Sequence, residues 1–202
     1  MLTRLRKRQL MSKSLLNNVF EMTNAELNGL AKNRFVPADL QMAIARTGYQ
    51  VARDHLSYNA GLDETVRDYL WNDQPRAYVM KAQMIQAGHY KDEPEKYIEL
   101  YERYPQIWNN GHYRATATFI GGYSWYGDGA KYSPNALLNM AYDDYLNPKA
   151  YPVLDHTRYG RQHALKKMAS HTNCDLKLAI KLSTCGEPKV ERLAFQKIVE
   201  LS

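Results

Sequence analysis

The chain has 202 residues and a formal net charge of +6, from 27 Lys and Arg against 21 Asp and Glu. Mean hydropathy is −0.59 and no window approaches the ~18 uninterrupted apolar residues of a spanning helix, which excludes a transmembrane helix and mildly favours an anionic partner. Two cysteines, Cys174 and Cys185, do not make a disulfide framework, and the first stretch lacks the apolar core of a secretory signal. The expectation is a cytoplasmic, intracellular protein, long enough for one domain or for roughly five or six helical pairs. With 16 Tyr against 4 Phe, many aromatic positions carry a hydroxyl that wants water or a partner, which suits a wet, half-buried surface.

Residues 1–22 carry Arg4, Arg6, Lys7, Arg8 and Lys13 among Leu2, Leu5, Leu10, Leu15, Leu16 and Phe20, with no acidic residue before Glu21. This predicts a basic amphipathic helix. Three roles fit it: a capping helix, an arm lying on nucleic acid through Arg4, Arg6, Lys7 and Arg8, or an Arg-rich targeting segment.

From Thr23 the pattern is regular. Thr23-Asn24-Ala25-Glu26 reads as a capped helix start, and Gly29 and Asn33 predict that this helix is short. Pro37 opens the next helix at a first-turn position. Leu40, Ala43 and Ile44 form its apolar face, and Gly48 ends it. Val51, Ala52, His55 and Leu56 carry the following helix to Asn59-Ala60-Gly61. A shift of 26 residues superposes Asn33 on Asn59, Leu40 on Val66 and Ile44 on Leu70. The helix of Val66, Tyr69 and Leu70 breaks at Asn72 to Pro75, and Val79, Ala82, Met84 and Ile85 form another before Gly88. Asp92-Glu93-Pro94 starts one more, with Tyr97, Ile98, Leu100 and Tyr101 on its apolar side.

Asp39-Leu40-Gln41-Met42-Ala43-Ile44 returns as Asp175-Leu176-Lys177-Leu178-Ala179-Ile180. Thr47-Gly48 leads into Val51-Ala52-Arg53, as Cys185-Gly186 leads into Val190-Glu191-Arg192. Helix, glycine turn, helix, written twice, is the mark of a stacked repeat in which no unit buries its own apolar face. Such pairs resemble HEAT-type repeats and their shorter leucine-rich variant form, best over residues 33–85 and 157–200. The resemblance implies an all-α, right-handed α-α solenoid whose work is binding. The middle third departs from it, and the last unit has two or three extra residues around Gly186 and Pro188.

That middle, residues 105–135, includes Trp108 and Tyr113 to Ile120, a segment that reads equally as helix or strand. Gly121-Gly122-Tyr123-Ser124-Trp125-Tyr126-Gly127-Asp128-Gly129 predicts a loop, and Tyr123, Trp125 and Tyr126 are either interface anchors or rings that fold back to plug a gap. No Lys-Ser/Thr follows the glycines, so a phosphate cradle is not indicated. Helices resume after Pro134 with Leu137, Leu138 and Tyr142 and end near Asn147-Pro148. Arg158, Arg161, Lys166 and Lys167 make the next helix basic, as a nucleic-acid-binding face or a solvated one. Residues 136–202 close the repeat domain that begins at residue 23.

Chemistry is weakly written. His163, His171, Cys174 and Cys185 fall in one unit, but their spacings do not match paired zinc knuckles. No nucleophile elbow, His-Glu-x-x-His pair or cofactor motif is present. Some HEAT-like proteins are alkylpurine DNA glycosylases. A chain similar to those would use Trp108, Trp125 and Asp128 with Arg158 and Arg161, although no motif matches residue by residue. The expected function is therefore non-catalytic docking of a protein partner through a helical face and Trp108, Tyr123, Trp125 and Tyr126. The alternative is nucleic-acid binding through Arg4, Arg6, Lys7, Arg8, Arg158, Arg161, Lys166 and Lys167.

Overall fold

The computed structural model describes residues 16–73, 78–104, 119–120, 129–146 and 158–202, the stretch 158–161 in its backbone. Their regular structure is helical, with no strand among the described residues. The helices are α1 (Asn24–Lys32), α2 (Ala38–Arg46), α3 (Gln50–Ser57), α4 (Glu64–Asp73), α5 (Tyr78–Gln86), α6 (Pro94–Arg103), α7 (Asn135–Leu146), α8 (Arg158–Ala169), α9 (Leu176–Leu182) and α10 (Pro188–Leu201). No helix among the described residues is long and apolar enough to cross a membrane. The chain divides into two compact units, Met1–Ala87 and Gly88–Ser202.

Local chemistry sets the first unit's helix starts. Thr23 and Glu26 form the expected capping box, the Thr23 hydroxyl accepting the Glu26 N–H at 3.4 Å and Glu26 Oε2 accepting the Thr23 N–H at 2.9 Å. Gly29 does not shorten this helix; it lies inside α1, and Asn33 is the C-cap. Before α1, a 3-10 turn at Val19–Glu21 buries Val19 and leaves Phe20 70% exposed, so Phe20 is not on the apolar side that the amphipathic pattern suggests.

The period of 26 has a physical form. Residues α1 Asn24 and α3 Gln50, or α2 Ala38 and α4 Glu64, start helices 26 apart, and the helices that share this spacing pack together, α1 on α3 and α2 on α4. Helix α5 extends the first row by packing on α3. Ser57 Oγ donates at 3.0 Å to Oε1 of Gln83, 26 residues on. Asn33 and Asn59 make the same turn, each accepting through Oδ1 the N–H two residues ahead, at 3.0 and 2.8 Å.

Buried polar side chains then bolt one turn to the next. Gln41 donates to Val36 O and Gly61 O at 2.8 Å each and accepts the Asp63 N–H at 2.9 Å, while Asn59 Nδ2 donates to Ala31 O at 2.7 Å. Arg53, 4% exposed, donates through Nε to Ala45 O at 2.7 Å and pairs through Nη1 with Asp73 at 2.9 Å, joining the C-terminal turns of α2 and α4. Arg53→Ala is expected to lower unfolding free energy by about 3 kcal/mol, through lost packing and an orphaned carbonyl, while part-exposed Asp73 regains water. Urea titration followed by circular dichroism checks this. A loss under about 1 kcal/mol would reduce the pair to a surface contact.

In the second unit α6 packs on α7 and α7 on α8, while α8, α9 and α10 pack on one another. Leu100, Leu137, Leu138, Ala164, Leu165, Met168, Leu178, Leu182, Val190 and Ala194 are each fully buried. Each such Leu or Val contributes roughly 1.5–3 kcal/mol by leaving water.

The two written copies of the repeat are not in structural register where their letters match. Leu40 and Ile44 are 1% and 0% exposed, whereas the same letters Leu176 and Ile180 are 41% and 53% exposed. The cause is the cap. Pro37 is the N-cap of α2, so Asp39 lies inside the helix, but Asp175 is itself the N-cap of α9 and accepts the Leu178 N–H at 2.7 Å. A two-residue slip turns a helix by about 200°. The register that superposes burial is 138: Pro37 on Asp175, Leu40 on Leu178, Ile44 on Leu182, Gly48 on Gly186 and Ala52 on Val190. Gly48 and Gly186 both take positive φ, 76° and 81°, where a side chain is strained.

Candidate functional site

The described residues show how the Gly/Tyr/Trp stretch is held at each end. Phe119 and Ile120, just before it, are 0% and 1% exposed, and the Phe119 ring meets Tyr101 of α6 edge to face, with centroids 5.5 Å apart at 72°. Just after it, Gly129–Tyr132 form a 3-10 turn that is held from α6 and from the turn after α8. Tyr97 of α6 donates its hydroxyl to Gly129 O at 3.0 Å. His171, after α8, lies 2.8 Å from Ala130 O through Nε2, and Asn173 Nδ2 donates to Ser133 O at 2.8 Å. Asn135 Nδ2 donates to Asp175 Oδ2 at 2.6 Å, fastening the start of α7 to the cap of α9.

Partners fix the protonation of His171. Its Nδ1 accepts the Asn173 N–H at 3.0 Å, so Nε2 carries the proton and donates to Ala130 O. Burial lowers the His171 pKa, and the Lys197 charge adds to that, against the opposing pull of the Ala130 carbonyl. Burial likewise lifts the Tyr97 hydroxyl well above its ordinary range, with Tyr132 and Asp92 acting the same way. Asp144 of α7 accepts the Tyr101 hydroxyl, and burial raises its carboxyl despite that bond. These groups hold buried or half-buried hydrogen bonds between elements, which suits anchoring.

Of the residues expected to bind a protein, Trp108, Tyr123, Trp125 and Tyr126 lie outside the described residues, as does Asp128. So do Arg4, Arg6, Lys7 and Arg8. Arg158 and Arg161 fall in the first turn of α8. On the same helix Lys167 is exposed, while Lys166 is half-buried with Nζ 3.4 Å from Gln162 Oε1. The two lysines therefore do not present equal charge to solvent.

Both cysteines are free thiols, and burial pushes Cys174 up to about 11 and raises Cys185, so neither is an activated nucleophile. Among the described residues no three His, Cys, Asp or Glu side chains gather as a metal-holding group. The anchors Tyr97, Tyr101, Phe119 and Asn173 were not legible as such from sequence. Asn173 alone carries a local signal, as a residue type that caps and cross-links turns. No protein-family model, curated protein or solved structure matches this chain.

Proposed function

We propose that this chain is a non-catalytic binding protein, an adaptor or inhibitor, built from HEAT-like helical repeats in a right-handed solenoid. It docks a protein partner through Tyr123, Trp125 and Tyr126, with Trp108 contributing. One observation carries the reading: residues 121–128 run between Phe119–Ile120 and Gly129–Ala130, all buried and fixed to helices. Anchored ends limit where the stretch between them can reach, and Tyr and Trp are the usual interface anchors. The two rows of helices in the first unit, with their spacing of 26, support the repeat architecture.

Affinity capture with the full chain tests this, followed by titration of the captured protein in purified form. Trp125→Ala or Tyr126→Ala is expected to weaken binding at least about tenfold with unchanged circular dichroism. The nucleic-acid reading makes the opposite forecast. Labelled DNA and RNA would bind at about 50 mM salt, lose affinity steeply by about 200 mM, and release on removal of Arg4, Arg6, Lys7 and Arg8 or of Lys167. Salt-steep binding indifferent to Trp125 would displace the protein-docking reading.

A further inference from the structure

The register of 138 identifies a face that the closing helix pair leaves open. Ser57 on α3 superposes on Phe195 on α10, and Arg53 on Glu191. In the first unit those positions are covered by what comes next: Ser57, fully buried, bonds Gln83 on α5, and Arg53 pairs with Asp73 at the end of α4. In the closing pair no described residue covers them. Phe195 is 58% exposed and Val199 78% exposed, and with Arg192, Gln196 and Glu200 they share one open face of α10. This face is apolar at the positions where the other copy of the repeat receives another helix.

We propose that a second copy of this chain covers this face, its α10 lying antiparallel on this α10 about a twofold axis at Gln196. The charge pattern is self-complementary in that arrangement. Arg192, Gln196 and Glu200 lie four residues apart on one ridge of the helix, so a twofold at Gln196 carries each Arg192 to the Glu200 of the other copy. Phe195 and Val199 form the adjoining apolar ridge, which ridge-into-groove packing buries. The Glu200 side chain is 66% exposed and pairs with Lys197 of its own helix at 3.4 Å, so an incoming guanidinium would share that carboxylate. A helix of 14 residues spans about 21 Å. A contact of that length falls short of the standard ~800 Å² per partner, so the dimer is expected in the micromolar range.

Sedimentation equilibrium of the full chain from about 1 to 200 μM tests this, with circular dichroism to establish that each variant folds. The wild type is expected to dimerise, and Phe195→Glu to be a folded monomer. Arg192→Glu and Glu200→Arg are each expected to weaken self-association about tenfold, since each sets like charges together twice. The double variant R192E/E200R should regain the wild-type constant, and an equimolar mixture of the two single variants should form heterodimers, because both arrangements restore opposite charges. A wild type that stays monomeric throughout overturns the proposal. A dimer indifferent to Phe195→Glu, or a double reversal without rescue, overturns it as well.

Discussion

Gly61→Ala is expected to destabilise the first unit by more than about 3 kcal/mol, a large share of the margin that holds a domain of this size. A Cβ on Gly61 would stand 2.1 Å from the carbonyl oxygen of Arg34, 2.9 Å from its carbon and 3.0 Å from its Cα, and all three are backbone atoms that cannot swing aside. Nor can the turn back away. The Gly61 N–H donates to Asn59 Oδ1 at 2.8 Å, its carbonyl accepts from buried Gln41 at 2.8 Å, and Asn59 is itself tied to Ala31 O. Relief of the clash would break at least one of those bonds and orphan a buried amide. Gly48→Ala is the matched control: nothing lies within 4 Å of its added Cβ, and its φ of 76° alone should cost about 1 kcal/mol. Urea unfolding of both variants decides the matter. Equal losses would mean that the two turns do not stack as described.

Acidification is expected to weaken the second unit through His171. Its folded pKa is lowered, so near an ordinary value of about 6.5 the unfolded chain takes up the proton first. The contribution is fully present above that value and declines as pH falls from about 6.5 towards the lower folded pKa, at no more than about 1.4 kcal/mol per pH unit. Protonation at Nδ1 would also cancel the bond from the Asn173 N–H and place a cation near Lys197. Asp144, raised chiefly by burial, works the other way, since its folded form binds the proton more readily as pH falls through its raised pKa. His55 is lowered, mainly by burial, and acts in the same sense on the first unit. His171→Gln isolates the one group: its unfolding free energy should fall less steeply between pH 7.5 and 5.5 than that of the wild type, values chosen to bracket about 6.5. Parallel pH profiles would rule out His171 as the titrating group.

The candidate site was half legible. The Gly/Tyr/Trp stretch announces itself because nine residues with four glycines and three large aromatics fit no regular element. Its anchors do not, because Tyr97 and Tyr101 come from one segment, His171 and Asn173 from another some seventy residues on, and they have no shared motif. His171 read as a candidate zinc ligand, yet both of its ring nitrogens serve backbone groups. The buried Arg53 was written as part of a repeated Val-x-Arg, but its copy Arg192 is exposed, because the matching letters sit one residue out of structural step.

The sequence by itself determined that the described segments from Thr23 on are helical, where most of them start and turn, and that helices in the first unit are spaced by 26 residues. Those features rest on interactions reaching only a few residues along the chain: the Thr23–Glu26 capping box, Pro94 at a first helical position, the turns of Asn33 and Asn59, and glycines at positive φ. Only the tertiary structure decided which face of each helix is inside. Leu40 and Leu176 stand in the same hexapeptide, and one is buried while the other meets solvent. Burial depends on where the cap fixes the helix phase and on whether another helix follows to cover it, and neither is a property of the six letters.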